Sequence, residues 1–109
     1  MSDIDPIKAA DYILRHSKEY AQAKANRVWI EEYRKSLKAL LMGRSPSTTG
    51  VAKEMDAYAD DEYIKLLDGL KSAVEIEETY KWNLEAAKLK IEIWKANEYA
   101  NKQQDRVMK

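Results

Sequence analysis

From Asp61 to about Asp105 the chain runs for roughly 45 residues without proline and with a single glycine, Gly69. Two apolar stripes coexist in that run. One is Tyr63, Leu66, Leu70, Ala73, a polar break at Glu77, then Tyr80, Leu84, Ala87, Ile91 and Trp94. Its steps alternate three and four, the spacing that keeps one side of a helix turned to a partner. The second is Trp82, Ala86, Leu89, Ile93, Ala96 and Ala100, with the same alternation. Ile91 and Ile93 stand two residues apart, about 200° on a helix, so the stripes lie on opposite sides. A helix apolar on both sides needs partners on both sides.

A chain of 109 residues suits one domain, 1–109, with fraying expected at 1–4 and 102–109. Cysteine is absent, which excludes disulfides and thiolate metal sites. The longest apolar run, Ala39 to Met42, is far too short to span a bilayer. The opening Met1-Ser2-Asp3-Ile4-Asp5 is acidic and lacks a signal-peptide core, so a cytoplasmic protein with no membrane partner is expected. Net charge is zero, but residues 1–52 carry +3, residues 53–80 carry −6 and residues 81–109 carry +3. A polyanion-binding domain would usually be basic throughout. The pattern suits an acidic segment folding beside basic ones. There is no Phe, while Tyr and Trp number seven and three, so every aromatic has a polar tip suited to half-buried seams.

Taken in order, Asp5-Pro6 starts a helix: Asp caps it and Pro fits the first turn. Nothing breaks it up to Met42, although it could loosen near His16-Ser17. Ala9, Ile13, Tyr20, Ala23, Ile30, Tyr33, Leu37 and Leu40 form its first stripe. Ala10, Leu14, Ala21, Ala25 and Val28 form a second, confined to its first half. Gly43 is read as the left-handed residue that ends the helix. Residues 44–50 are a loop. Val51 to Ala59 suits a short helix, capped by Thr48 or Thr49, with Met55 and Tyr58 inward. Asp60 caps the last helix, and Asp61 and Glu62 favour its first turn.

The fold these elements predict is all-α. It is a long antiparallel helical hairpin, about 6–42 and 61–105, with a short helix about 51–59 in the connection, associating as a helical bundle. Pairing Leu40 with about Leu66 brings Arg27 to Glu77 and runs Arg34, Lys35 and Lys38 beside the acidic segment.

Candidate chemistry is sparse. His16 is the only histidine and has no Ser or Cys nucleophile in a recognisable setting, so it reads as a surface or seam residue. Glu75 and Glu78 have ExxE spacing, but a helical metal enzyme needs a second carboxylate pair or ExxH partner, and Glu31-Glu32 is followed by Arg34 and Lys35. No catalytic, metal or cofactor residue is assigned, and the protein is read as no enzyme. Residues 43–50 lack the GK[ST] ending of a phosphate loop. Lys88, Lys90, Lys95, Lys102 and Arg106, interleaved with Trp94 and Tyr99, would suit single-stranded nucleic acid; Lys88, Lys95, Lys102 and Arg106 are its contact candidates. The rival reading is that these cations complement the helix dipole.

The segments Lys24 to Met42, Ala57-Tyr58, Tyr63, Leu67-Asp68-Gly69-Leu70 and Lys90 to Trp94 resemble small uncharacterised helical proteins of tailed-phage and prophage early regions. That resemblance covers roughly residues 22–100 and implies an accessory role in recombination or replication. It assigns no functional residue.

The function expected is a non-enzymatic helical interaction protein acting as a homo-oligomer, most simply a homodimer, with a further protein partner unidentified. A single-stranded nucleic-acid-binding accessory factor is the alternative. The interface candidates are Leu14, Ala21, Val28, Trp82, Ala86, Leu89, Ile93 and Ala96. Trp82, Leu89 and Ile93 alone would expose about 400 Å2, near the upper range for monomer patches. At roughly 25 cal/mol per Å2 their burial offers about 10 kcal/mol before association costs of similar size. If residues 4–16 instead folded back as a separate helix, the stripe would be covered within one chain.

Overall fold

A computed structural model describes residues 3–108, and side chains as far as Arg106. Met1, Ser2 and Lys109 lie outside it, and with them part of the fraying expected at the two ends. The described residues form an all-α helical hairpin. Helix α1 (Pro6–Arg44) packs against α3 (Asp61–Met108), with the short α2 (Gly50–Ala59) between them. The helix starts follow the sequence signals. Asp5 Oδ1 accepts from the N–H groups of Ile7 and Lys8 at 2.9 and 3.2 Å, ahead of Pro6 at the first helical position. Thr49 caps α2 by accepting from Ala52 N–H at 3.1 Å. Asp60 accepts from Glu62 N–H at 2.8 Å at the head of α3.

The first helix is continuous as expected, and one boundary differs from expectation. Residues 6–16 neither loosen nor fold back: α1 is unbroken through His16 and Ser17, where the Ser17 hydroxyl donates to Leu14 O at 3.3 Å without parting the helix. Gly43 does not end α1, which runs on to Arg44 with no glycine at positive φ. The end falls just ahead of Ser45-Pro46, where proline disfavours helix in the residue before it; Ser45 N–H closes back on Met42 O at 3.2 Å, and Arg44 reaches Glu62 at 3.2 Å. At the other end, α3 continues to Met108. No helix breaker stands there, and Arg106 in the last turn suits the dipole. The connection between α1 and α2 is short and tied. Hydroxyls of Ser45 and Ser47 both donate to Asp56 Oδ2, at 2.6 and 2.7 Å, and hold that carboxyl below its ordinary pKa.

The chain divides into two compact units: one contains residues up to Tyr20 and from Thr79 onward, the other Ala21–Glu78. In the second unit the core is Leu37, Leu41, Ala57 and Tyr63, with Tyr33, Met42 and Leu66 packed against it. Leu41 replaces Leu40 as the buried leucine, 4% against 52% exposed. Steps of three and four carried from Ile30 through Leu37 land on 41, and Leu40 falls to the side. In α2 the inward residue is Ala57, 1% exposed, while Met55 and Tyr58 face out. A small side chain lets α2 approach closely, and Tyr58 instead stands edge-on to Tyr63, centroids 5.2 Å apart, beneath Lys38 Nζ. In the first unit the seam is made by Ala9, Ile13, His16 and Tyr20 with Tyr80, Leu84, Ala87, Ile91 and Trp94, all buried or half-buried. The first α3 stripe falls on the inward face throughout both units.

Two substitutions check these assignments. Gly43 is helical, and an added Cβ there meets nothing within 4 Å. Gly43→Ala should therefore raise stability, by about 0.5–1 kcal/mol; a loss in urea unfolding would restore a left-handed role. Leu41→Ala should cost about 2–5 kcal/mol, as for a buried leucine. Leu40→Ala should stay within about 1 kcal/mol. Equal losses would show that the two leucines share the core.

Candidate functional site

The seam of the second unit contains a buried carboxylate. Glu77 is 7% exposed and sits where the first α3 stripe turns polar. Arg27 meets it with two bonds, Nε to Oε1 at 2.5 Å and Nη2 to Oε2 at 3.1 Å, as the register predicted. Its Nη1 also donates to Glu31, one turn along α1, at 3.0 Å. The two carboxylates raise the Arg27 pKa, that of Glu77 having the larger effect. A planar guanidinium with fork geometry suits this arrangement.

The first unit has a polar cluster of its own. His16 Nδ1 lies 3.2 Å from Glu19 Oε2, the Tyr12 ring packs on the imidazole with centroids 4.3 Å apart, and the Tyr80 hydroxyl donates to Glu19 across the seam. His16 is thus a half-buried seam residue with a carboxylate partner. Contact with His16 first, and then with Tyr80, holds the Glu19 carboxyl below its ordinary value. The Tyr80 phenol is pushed up by the same carboxylate. The spacings Tyr12/His16 and His16/Glu19, four and three residues on one helix face, were the available signal for this group. Among the described residues, no three His, Asp or Glu side chains are placed to hold a metal ion.

Each unit also has a hollow. One of about 720 Å3 in the first unit is lined by Ile4, Lys8, Ala9 and Tyr12 against Asn83, Ala86, Ala87 and Lys90, with Asp3 and Asp5 at its rim. The other, about 310 Å3 in the second unit, is bounded by Arg34, Lys35, Lys38, Tyr58 and Tyr63. Two of its cations are already engaged, Lys35 with Glu32 and Lys38 with Glu54, each at 3.4 Å.

The interface candidates all reach the surface. On α3, Trp82, Leu89 and Ile93 are 62, 61 and 49% exposed, and Ala86 and Ala96 share their face and their exposure. Lys81 Nζ lies 5.4 Å from the centre of the Trp82 ring. On α1, Leu14 in the first unit is 77% exposed, while Ala21 and Val28, also exposed, belong to the second. The nucleic-acid candidates are less available as a set. Lys88 pairs with Glu85 at 3.4 Å and Lys95 with Glu92 at 3.7 Å, each one turn away, whereas Lys102 and Arg106 are exposed. No helix of the described residues is long and apolar enough to cross a membrane.

Comparison with protein families, with curated proteins and with solved structures gives no match in any of the three.

Two measurements test the polar contacts. In a double-mutant cycle on Arg27→Ala and Glu77→Ala, each single change should lower the urea midpoint, and the double should fall short of their sum. Strict additivity would remove the bond. Glu19 has a folded-state pKa below its ordinary 4.5, so its contribution is complete above that value and disappears as pH falls through the folded value. Glu19→Gln should accordingly flatten the acid limb of the stability profile below about pH 4.5. An unchanged acid limb would show that the contact carries no stability.

Proposed function

We propose that this chain is a non-enzymatic helical interaction protein that works as a homo-oligomer through the outer face of α3. One observation carries the reading: Trp82, Leu89 and Ile93 stand about half or more exposed on one face of an unbroken helix. Within the same chain, no large side chain among the described residues is fully buried. Contiguous exposed apolar surface of this kind marks an interaction site. A fold-back of residues 4–16 would have offered a cover from within, but those from Pro6 onward are spent in α1. A second copy is the simplest cover, since oligomers most often close by two-fold symmetry. A cytoplasmic setting belongs to the same reading. The likeness to phage early-region proteins adds an accessory role in recombination or replication.

Nucleic-acid binding has less support, because Lys88 and Lys95 are held by neighbouring carboxylates. A salt-dependent shift of labelled single-stranded DNA that is lost on Lys102→Glu with Arg106→Glu would raise it.

Sedimentation equilibrium decides the main reading. The native chain should show about twice its 12.6 kDa mass, and Leu89→Glu with Ile93→Glu should return it to one. A native monomer at high micromolar concentration would overturn it.

A further inference from the structure

The outer face of α3 carries a pattern that specifies how a second copy would lie on it, an inference that rests on the homo-oligomer reading above. Trp82, Ala86, Leu89, Ile93, Ala96 and Ala100 repeat with steps of four and three, the spacing of a coiled-coil seam. The stripe is short and bounded. On the same face of α3, the preceding positions are Lys65, Asp68, Ser72, Glu75 and Thr79, and the next after Ala100 is Gln103.

We propose that two copies pair antiparallel along this stripe, about a two-fold axis near Ile91, so that Trp82 of each chain packs on Ala100 of the other. Read outward from that axis, Leu89 meets Ile93, Ala86 meets Ala96 and the indole meets a methyl group. The indole then lies against a methyl group and not against a second indole, so the widest layers, Trp82 on Ala100 and Leu89 on Ile93, are of similar width, and the narrow Ala86–Ala96 layers between them permit close approach of the two helices. A parallel pair would set Trp82 on Trp82 and, one turn on, Ala86 on Ala86. Those two layers differ more in width than any neighbouring pair of layers in the antiparallel arrangement, and they lie within about 6 Å of rise.

The polar boundary gives a second, independent reason. In a parallel pair the helices would continue side by side through Glu75, Asp68 and Lys65, each facing its own like charge. In an antiparallel pair the stripes overlap fully, and the polar stretch of each chain extends past the end of the other's stripe. Flanking charges favour the opposite choice. Glu85 and Lys90 are five residues apart, the spacing that pairs across a parallel dimer, whereas the antiparallel one brings Lys90 to Lys90 and Glu92 to Glu92 beside the axis. All of these groups are at least partly exposed, Glu85 is shared with Lys88, and Glu92 has Lys95 at hand. Screened pairs of that kind yield to the separation of the two indoles and to like charges forced into the seam itself.

The absence of cysteine makes a clean test. Ala86→Cys and Ala96→Cys are prepared separately, and then mixed and left to exchange before mild oxidation. Antiparallel pairing predicts that neither variant links to itself, and that the mixture yields a species of twice the chain mass holding one of each by mass spectrometry. Self-linking of both single variants would overturn the arrangement in favour of a parallel one. A native chain of dimer mass with no link in any sample would overturn this pairing and leave the oligomer reading standing. A native monomer would overturn both.

Discussion

A carboxylate enclosed between two helices must find a cation or remain uncharged, and Glu77 finds Arg27. The pairing is bidentate, and the same guanidinium is anchored on its own helix by Glu31. Such a bond adds little net stability over an apolar pair of the same size, but breaking one half of it is costly. Its contribution is discrimination among registers. A slip of one heptad one way would offer Glu77 the phenol of Tyr20. A slip the other way would offer Arg34, which keeps the charge matched but pulls Leu37 and Leu41 away from Tyr63. The ion pair and the leucine–tyrosine core therefore agree in one alignment only.

The rest of the seam is built from alanine, half-buried aromatics and polar tips, and it packs thinly. Ala9, Ala73 and Ala87 are among its most enclosed residues. Helices that meet on alanine come close, yet they remove little apolar area from water. Hydrogen-bonded phenols and the His16–Glu19 contact fill the remaining width. A hairpin of this kind leaves much of its apolar inventory outside, and on α3 that inventory is arranged with the same regularity as the seam. The proposed second-copy contact would make α3 the middle element, covered on one face by its own chain and on the other by its twin.

The inward face of α3 was legible because its alternation is unbroken over nine apolar positions and one polar one. The Arg27–Glu77 bond was legible too, since a charge in an apolar stripe demands an opposite charge at the matching register. What escaped the sequence has local causes. Leu40 and Leu41 are adjacent and alike, and only the phase carried from Ile30 and Leu37 separates them. In α2 size suggests Met55 and Tyr58 as the inward residues, whereas close approach selects the smallest side chain, Ala57. Gly43 carries a stop signal, yet glycine is also tolerated inside a helix that ends one residue on, ahead of Ser45-Pro46. The Tyr12–His16–Glu19–Tyr80 group is only partly encoded in local spacing, because its fourth member comes from the other helix.

The tied connection between α1 and α2 also bears on how the hairpin is assembled. Ser45 and Ser47 clasp Asp56, so the chain reverses within a short, hydrogen-bonded stretch. Contacts of Leu37 and Leu41 with Ala57 and Tyr63 close small loops, whereas Arg27 reaches Glu77 across fifty residues of chain. Loop entropy grows with that separation. Once the turn and its core are in place, however, each further contact lengthens an existing pair of helices by one step rather than closing a loop anew. Assembly from the connection outward would spread the entropic cost into small increments, with the ion pair joining as a further tooth of a zipper after the leucine–tyrosine core.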